Sequence, residues 1–208
     1  MDISHPIADV VPSAHGPVLA VLAGTTVPLT GRRVAELTDP RVSQPRVARI
    51  LVDLTAAGLV DRIEAGSASL FTLNREHLAA RAVEDLATLR TRLWARIAEH
   101  ATEWTHPPEA IVVYGSTARG DGGTASDVDL LVVRPATVDE DDPDWQRDLT
   151  ALGFAIPRWT GNPCEILDRS RDELLAMAAA GERLLSEIRR DGRAIVGSLA
   201  VVPSPEAA

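Results

Sequence analysis

The chain has 208 residues, 45% of them hydrophobic, and a formal net charge of −9, with 30 acidic residues against 21 basic ones. That apolar content suffices for one large or two small cores, and no apolar run approaches the ~18 residues needed to cross a bilayer. With no basic-then-apolar leader pattern and a single cysteine, Cys164, which cannot form an internal disulfide, a cytoplasmic protein without membrane association is expected.

Residues 1–16 carry proline and small side chains and are expected to be flexible. From Pro17 to Ala23 a first helix is predicted, and Thr30 is placed to cap a second over Gly31 to Leu37. Ser43 is placed to cap a third, about Pro45 to Ala57, in which Val47, Ile50, Leu51 and Leu54 recur at helical spacing before Gly58 stops it. Residues 59–63 and 70–73 then read as a hairpin around Gly66-Ser67. Three helices and a hairpin over 17–75 resemble a winged helix-turn-helix domain, and the strings GRRVAEL and SQPRVARILVDLTAAGLV are similar to those of bacterial transcriptional regulators. The resemblance implies a third helix lying in the DNA major groove, which places Ser43, Gln44, Arg46 and Arg49 against DNA. Seven arginines against five acids between 30 and 75 make this stretch locally basic inside an acidic chain. Domains of this type also serve as dimerisation or protein-docking modules, and that alternative stays open.

Residues 76–106 are predicted as a connecting helix. Val83, Leu86, Leu89, Leu93, Ile97, Ala101 and Trp104 form its apolar seam, which can pack on the chain's own domains or pair with a second copy in a homodimer. His100 and His106 do not share a helical face and are not read as a metal site. His106-Pro107-Pro108 ends the helix.

The next segment, Tyr114 to Val133, reads YGSTARGDGGTASDVDLLVV. Ile111 to Tyr114 make a short strand that Gly115 ends abruptly, and Ser116 takes an N-cap position before a helical turn, Thr117 to Arg119, that Gly120 breaks. Backbone N–H groups at such a turn, beside a glycine that admits close approach, make a phosphate seat, with Ser116 and Ser126 as further donors. The chain contains no lysine, so Arg119 and Arg158 are the first candidates to neutralise phosphate, Arg119 inside the motif and Arg158 reading more readily as a surface salt bridge. Strand periodicity puts Asp127 and Asp129 on one face, where two carboxylates suit Mg²⁺ or Mn²⁺ together with substrate phosphates.

Gly115-Ser116 followed by Asp127-x-Asp129 resembles the signature of the DNA polymerase beta-like nucleotidyltransferases, and the surrounding wording is similar to the minimal bacterial ones. The resemblance implies a nucleotide site at Gly115, Ser116, Arg119 and Ser126, metal bound by Asp127 and Asp129, and a third carboxylate on a later strand. Glu165, in Pro163 to Asp168, is the candidate, as metal ligand or general base; Asp168 reads as a cap of the following helix. A helix from about Asp144 to Leu152 supplies the crossover, and the acidic run Asp139 to Asp142 with Asp144 reads as a solvated loop. Helix, break and strand over 172–197, with the string LLSEIRRDGRAIVG, complete a domain over 107–199, leaving 200–208 as a flexible tail.

The expected fold class is therefore α/β (α+β): a winged helix-turn-helix, a connecting helix, and a nucleotidyltransferase fold with a mixed sheet flanked by helices. The activity implied is Mg²⁺-dependent transfer of a nucleoside monophosphate from an NTP, with ATP the expected donor, to a hydroxyl of a protein, RNA or small molecule. Relatives of this type include toxin–antitoxin components, so a toxin partner is among the implied acceptors. The alternative is a winged-helix transcriptional regulator that uses the nucleotidyltransferase fold to sense nucleotide. Nothing in the chain selects the acceptor.

Overall fold

The computed structural model describes residues 1–204. They form a mixed α/β structure with two sheets, and separate into two compact units: His5 to Arg90, and Thr91 onward together with Met1–Ser4.

In the first unit, helices α1 (Ile7–Val10) and α2 (His15–Ala23) precede a two-residue strand β1 (Leu29–Thr30), α3 (Gly31–Leu37) and α4 (Gln44–Ala56). Thr30 caps α3 as expected, its side chain accepting from the Arg33 amide, whereas Ser43 stands at the N-cap of α4 without a side-chain bond. The hairpin is β2 (Val60–Ala65) with β3 (Ala68–Leu73), antiparallel, and β1 adds a third strand on the far side of β3. Val18, Leu22, Val34, Val47, Ile50, Leu51 and Val83, the last from α5 (Ala80–Ala87), form its core.

The single connecting helix expected over 76–106 is instead two helices. α5 ends at Thr88, whose hydroxyl turns back onto the carbonyls of Glu84 and Asp85, and α6 (Leu89–Thr102) follows. A threonine hydroxyl that bonds the preceding turn competes with continuation of the helix.

The second unit is a four-stranded sheet in the order β6-β5-β4-β7, made of β4 (Ala110–Tyr114), β5 (Val128–Arg134), β6 (Cys164–Ser170) and β7 (Arg193–Val196). β4 runs antiparallel to both β5 and β7, while β5 and β6 are parallel and joined through α8 (Pro143–Thr160), which is twice as long as the predicted crossover. Alternation along β5 sorts the sheet into two faces. Val128, Leu130 and Val132 pack with Trp145, Leu152 and Ile156 of α8 and Ile97 of α6; Leu131 and Val133 pack with Leu174 of α9 (Arg171–Ala179) and Leu185 and Ile188 of α10 (Arg183–Asp191).

Both ends of the chain differ from what their composition suggests. Residues 1–16 contain helix α1, and Ile3 is 2% exposed in the core of the second unit. The Met1 nitrogen donates to Thr160 O and Asn162 Oδ1 at 2.9 Å each, and Ser4 Oγ donates to Gly122 O at 2.8 Å. These contacts reach across more than a hundred residues, beyond what local composition can reveal. Within the expected tail, Leu199–Val201 form a 3₁₀ turn and Val202 is buried; residues 205–208 lie outside the described residues.

Candidate active site

The strand-to-helix bend comes first. Gly115 opens a short helix α7 (Gly115–Arg119) with φ at +69°, a backbone region that a side chain disfavours. A Cβ there would lie 2.2 Å from Asp129 Oδ2, so the Asp129 carboxylate sits directly against the glycine backbone. Ser116 is inside the turn instead of capping it, because the bend is made at Gly115 one residue earlier; the N-cap is Tyr114, with no side-chain bond.

Register then brings the acids together. Tyr114 pairs with Asp129 across the antiparallel ladder, and Asp129 pairs with Glu165 across the parallel one. Residues directly opposite on neighbouring strands share a face, so Tyr114, Asp129 and Glu165 form a row on the side of Leu131 and Leu167. Burial holds the Asp129 carboxyl above the usual range, reinforced by Glu165 and then Asp127, with Arg119 acting the other way. The Tyr114 phenol is pushed up to about 12 by burial and by the same two strand carboxylates, Asp129 and Glu165. The Cys164 thiol, half-buried in the strand, is also pushed up to about 12, by burial first and the nearby acids second. It is an inert small hydrophobe under these conditions.

The donors expected for a nucleotide lie around this row. A Cβ on buried Gly122 would fall 3.2 Å from Ser116 Oγ and 3.3 Å from Ser126 Oγ, so both hydroxyls flank that glycine. Ser126 Oγ accepts from the Gly123 amide at 2.9 Å, which leaves its own proton to donate. Arg119 is exposed and engaged with Asp121 at 3.1 Å and Asp191 at 3.7 Å. Ion pairs of an exposed arginine are screened by solvent and weak, so the guanidinium can be diverted to a phosphate.

The acids offer oxygen ligands only, which is the chemistry of a Mg²⁺ or Mn²⁺ site, and the repulsion from Glu165 and Asp127 that adds to burial in raising Asp129 is what a bound cation relieves. Among the described residues, however, the histidine and carboxylate ligand atoms already gathered within 4.8 Å of one another belong to His106, Asp142 and Asp144, a cluster that could hold a metal ion. That differs from the sequence reading in two ways. His100 Nδ1 accepts from Trp104 Nε1, whereas His106 finds carboxylate neighbours on the Asp142–Asp144 segment. Asp142 is also no idle loop acid: it caps α8, accepting from the amides of Asp144 and Trp145 at 3.0 Å. Only the three-dimensional approach of two segments some forty residues apart shows this.

Asp168 likewise does something other than cap α9. It accepts from Trp145 Nε1 at 3.1 Å and from Arg134, which also reaches Glu173 at 2.9 Å, while Ser170 and Glu173 make a reciprocal capping box on α9. On the first unit, Ser43, Gln44, Arg46 and Arg49 are all exposed on and just before α4. No helix among the described residues is long and apolar enough to cross a membrane.

Residues 96–187 match the nucleotidyltransferase domain family. The match spans both β4–β6 and the Gly115 bend, and leaves out the first unit. Three solved structures show what the chain is similar to. One described as a toxin–antitoxin with AMP-PNP is 17% identical over 51% of this chain and 75% of its own, with a TM-score of 0.37. RV1404 from Mycobacterium tuberculosis is 24% identical, over 47% and 67%, at 0.34. TrmBL2, described as an archaeal chromatin protein with a novel mode of DNA binding, is 12% identical over 90% and 78%, at 0.31. No curated protein sequence matches the chain.

Proposed function

We propose that this protein is a metal-dependent nucleotidyltransferase, transferring a nucleoside monophosphate from an NTP, with ATP first, to a hydroxyl acceptor and releasing pyrophosphate. The observation that carries the reading is the strand register that sets Asp129 opposite Glu165 and against the Gly115 bend, inside a region that matches the nucleotidyltransferase family. Gly115, Ser116 and Ser126 seat the triphosphate, and Arg119 leaves its exposed partners to neutralise it. Asp127, Asp129 and Glu165 hold Mg²⁺ or Mn²⁺, which when bound stabilises the charge developing on the transferred phosphoryl group. The acceptor oxygen bonds to the α-phosphorus as the bond to the pyrophosphate oxygen breaks, and Glu165, the most exposed of the three acids, accepts the acceptor's proton. A protein acceptor, including a toxin partner, an RNA and a small molecule all present such a hydroxyl.

The first unit is proposed as a winged helix-turn-helix that brings DNA, with α4 as the reading helix. Its support is the exposed row Ser43, Gln44, Arg46 and Arg49 at one end of α4 while Val47, Ile50 and Leu51 are buried behind. The same feature favours the second reading, a transcriptional regulator whose nucleotide site senses NTP and transfers little.

Purified protein incubated with α-labelled NTPs, Mg²⁺ or Mn²⁺ and candidate acceptors is expected to transfer label, and Asp127→Asn with Asp129→Asn is expected to abolish it. Label transfer at the wild-type rate by that double variant would overturn the enzymatic reading. Operator protection that responds to NTP without any transfer would support the regulator instead. Loss of DNA binding in Arg46→Ala with Arg49→Ala is the expected result for α4, and unchanged binding would remove its reading role.

A further inference from the structure

Asp129 and Asp127 are held in different ways. Asp129 belongs to β5 and has ladder partners on both sides, so the sheet fixes its backbone. Asp127 precedes the strand and follows a loop, Asp121 to Ala125, that contains two glycines and is exposed at four of its five positions. The ladder reaches only the peptide that follows it, where Val128 N–H donates to Pro163 O at 2.8 Å, so the rest of its direction must be set by something else.

Two side chains do this. Asn162, fully buried between α8 and β6, donates its Nδ2 to Ser126 O at 2.9 Å and Thr124 O at 3.4 Å. Thr117, fully buried in α7, donates its hydroxyl to Asp127 O at 2.8 Å. The peptide planes on either side of the Asp127 Cα end in those two carbonyls, Ser126 O and Asp127 O. Because a peptide unit is planar, fixing both carbonyls fixes φ and ψ of the residue between them, and so the direction of its Cα–Cβ bond. A buried amide and a buried hydroxyl are retained at a desolvation cost unless they are bonded, and here the bonds go to the residues flanking the acid. Asn162 is itself held, its Oδ1 accepting from the Met1 nitrogen and its backbone N–H donating to Thr160 Oγ1 at 3.0 Å.

We propose that Asn162 and Thr117 are positioning residues that aim the Asp127 carboxylate at the metal, so that the geometry of the site depends on two polar side chains that touch neither metal nor substrate. The inference rests on the metal role proposed above for Asp127. Outer groups that orient a metal ligand typically change metal affinity or activity roughly 10- to 100-fold when removed.

The test is Mn²⁺ binding by the full-length protein, followed by electron paramagnetic resonance, for the wild type, Asn162→Ala, Thr117→Val and Asp127→Asn. All three variants are expected to bind Mn²⁺ more weakly, Asp127→Asn most. Transfer activity of Asn162→Ala and Thr117→Val should be restored at saturating Mn²⁺, whereas that of Asp127→Asn should not, a split that general loosening of the fold would not produce. If Asn162→Ala does not fold, the near-isosteric Thr117→Val decides. Wild-type Mn²⁺ affinity in the folded positioning variants, with Asp127→Asn impaired, overturns this inference and leaves the metal reading intact. Wild-type affinity in Asp127→Asn overturns the metal reading and the inference with it.

Discussion

The two units handle polar side chains in opposite ways. The unit from His5 to Arg90 has an apolar core, and its one buried polar residue among those described, Thr38, is satisfied locally, between Ala35 O and the Val42 amide. Its ion pairs, Arg32–Glu36, Arg62–Glu64 and Arg81–Asp85, lie at the surface. The other unit buries Thr117, Arg134, Thr160 and Asn162, and bonds Arg134 and Asn162 to residues more than thirty positions away. The contrast separates two uses of charge. Both units carry ion pairs on the outside, as Arg183–Glu187 in the second shows, but in the second, buried polar bonds also tie the strands to distant residues.

The largest effect expected from this contrast is at Asp168. Its removal leaves Arg134, with a side chain only 6% exposed, with Glu173 as its remaining carboxylate partner, and leaves Trp145 Nε1 without an acceptor. Breaking a buried pair outright typically costs about 3–5 kcal/mol, an upper bound where a second carboxylate stays in place. Asp168→Ala should therefore lower the unfolding free energy of the second unit by up to that amount, while Arg32→Ala in the first, which breaks a solvent-screened surface pair, should cost far less. All four tryptophans, Trp94, Trp104, Trp145 and Trp159, lie in the second unit, so denaturation followed by tryptophan fluorescence reads it directly, and far-ultraviolet circular dichroism of the same samples adds the first unit. Equal losses in the two variants would break the comparison.

A smaller effect separates two glycines with similar backbone angles. Gly66, in the hairpin, has φ at +61° and open space where a side chain would stand, whereas Gly115 at +69° has Asp129 Oδ2 in the way. Gly66→Ala should cost only the left-handed penalty, about 1–2 kcal/mol. Gly115→Ala should cost more and should also abolish label transfer, since the acid must move aside. A Gly115→Ala protein with full activity would show that the Asp129 position is not what the site requires.

How much of this is legible in the sequence follows the range of the interactions. Gly115, Asp127 and Asp129 stand in one short string, and the strand break between them is a local matter of glycine and β-branched residues. Glu165 is legible because a helix between two apolar strands forces a parallel return, and the register then sets it beside Asp129. Asn162 is not, because the carbonyls it holds lie 36 and 38 residues away. The partners of Arg134 are hidden for the same reason, and His106 gives no hint of Asp142 and Asp144. A side chain whose partner is distant in sequence leaves no periodicity to read.

The subtlest difference lies in two glutamates. Glu173 is held below the usual carboxylate range chiefly by the Ser170 amide, 2.6 Å away, with the Ser170 hydroxyl and Arg134 adding to it; Glu36 is lowered by its hydrogen bonds to Arg32 and then Arg33. A carboxyl whose folded pKa is depressed stabilises the protein above its unfolded value, about 4.3 for glutamate, and that stability is lost as pH falls through the folded pKa. Both Glu173→Gln and Glu36→Gln should therefore flatten the acid limb of stability below that value. Salt distinguishes them, because an exposed ion pair is screened within about 3 Å at 1 M salt while a fixed backbone amide at contact distance is not. Urea unfolding between pH 3 and 7 should show the Glu173 contribution persisting at high salt and the Glu36 contribution vanishing. Loss of both in salt would mean that the capping box on α9 owes its strength to Arg134 and not to the Ser170 amide, and that the second unit depends on charge pairing in the same way as the first.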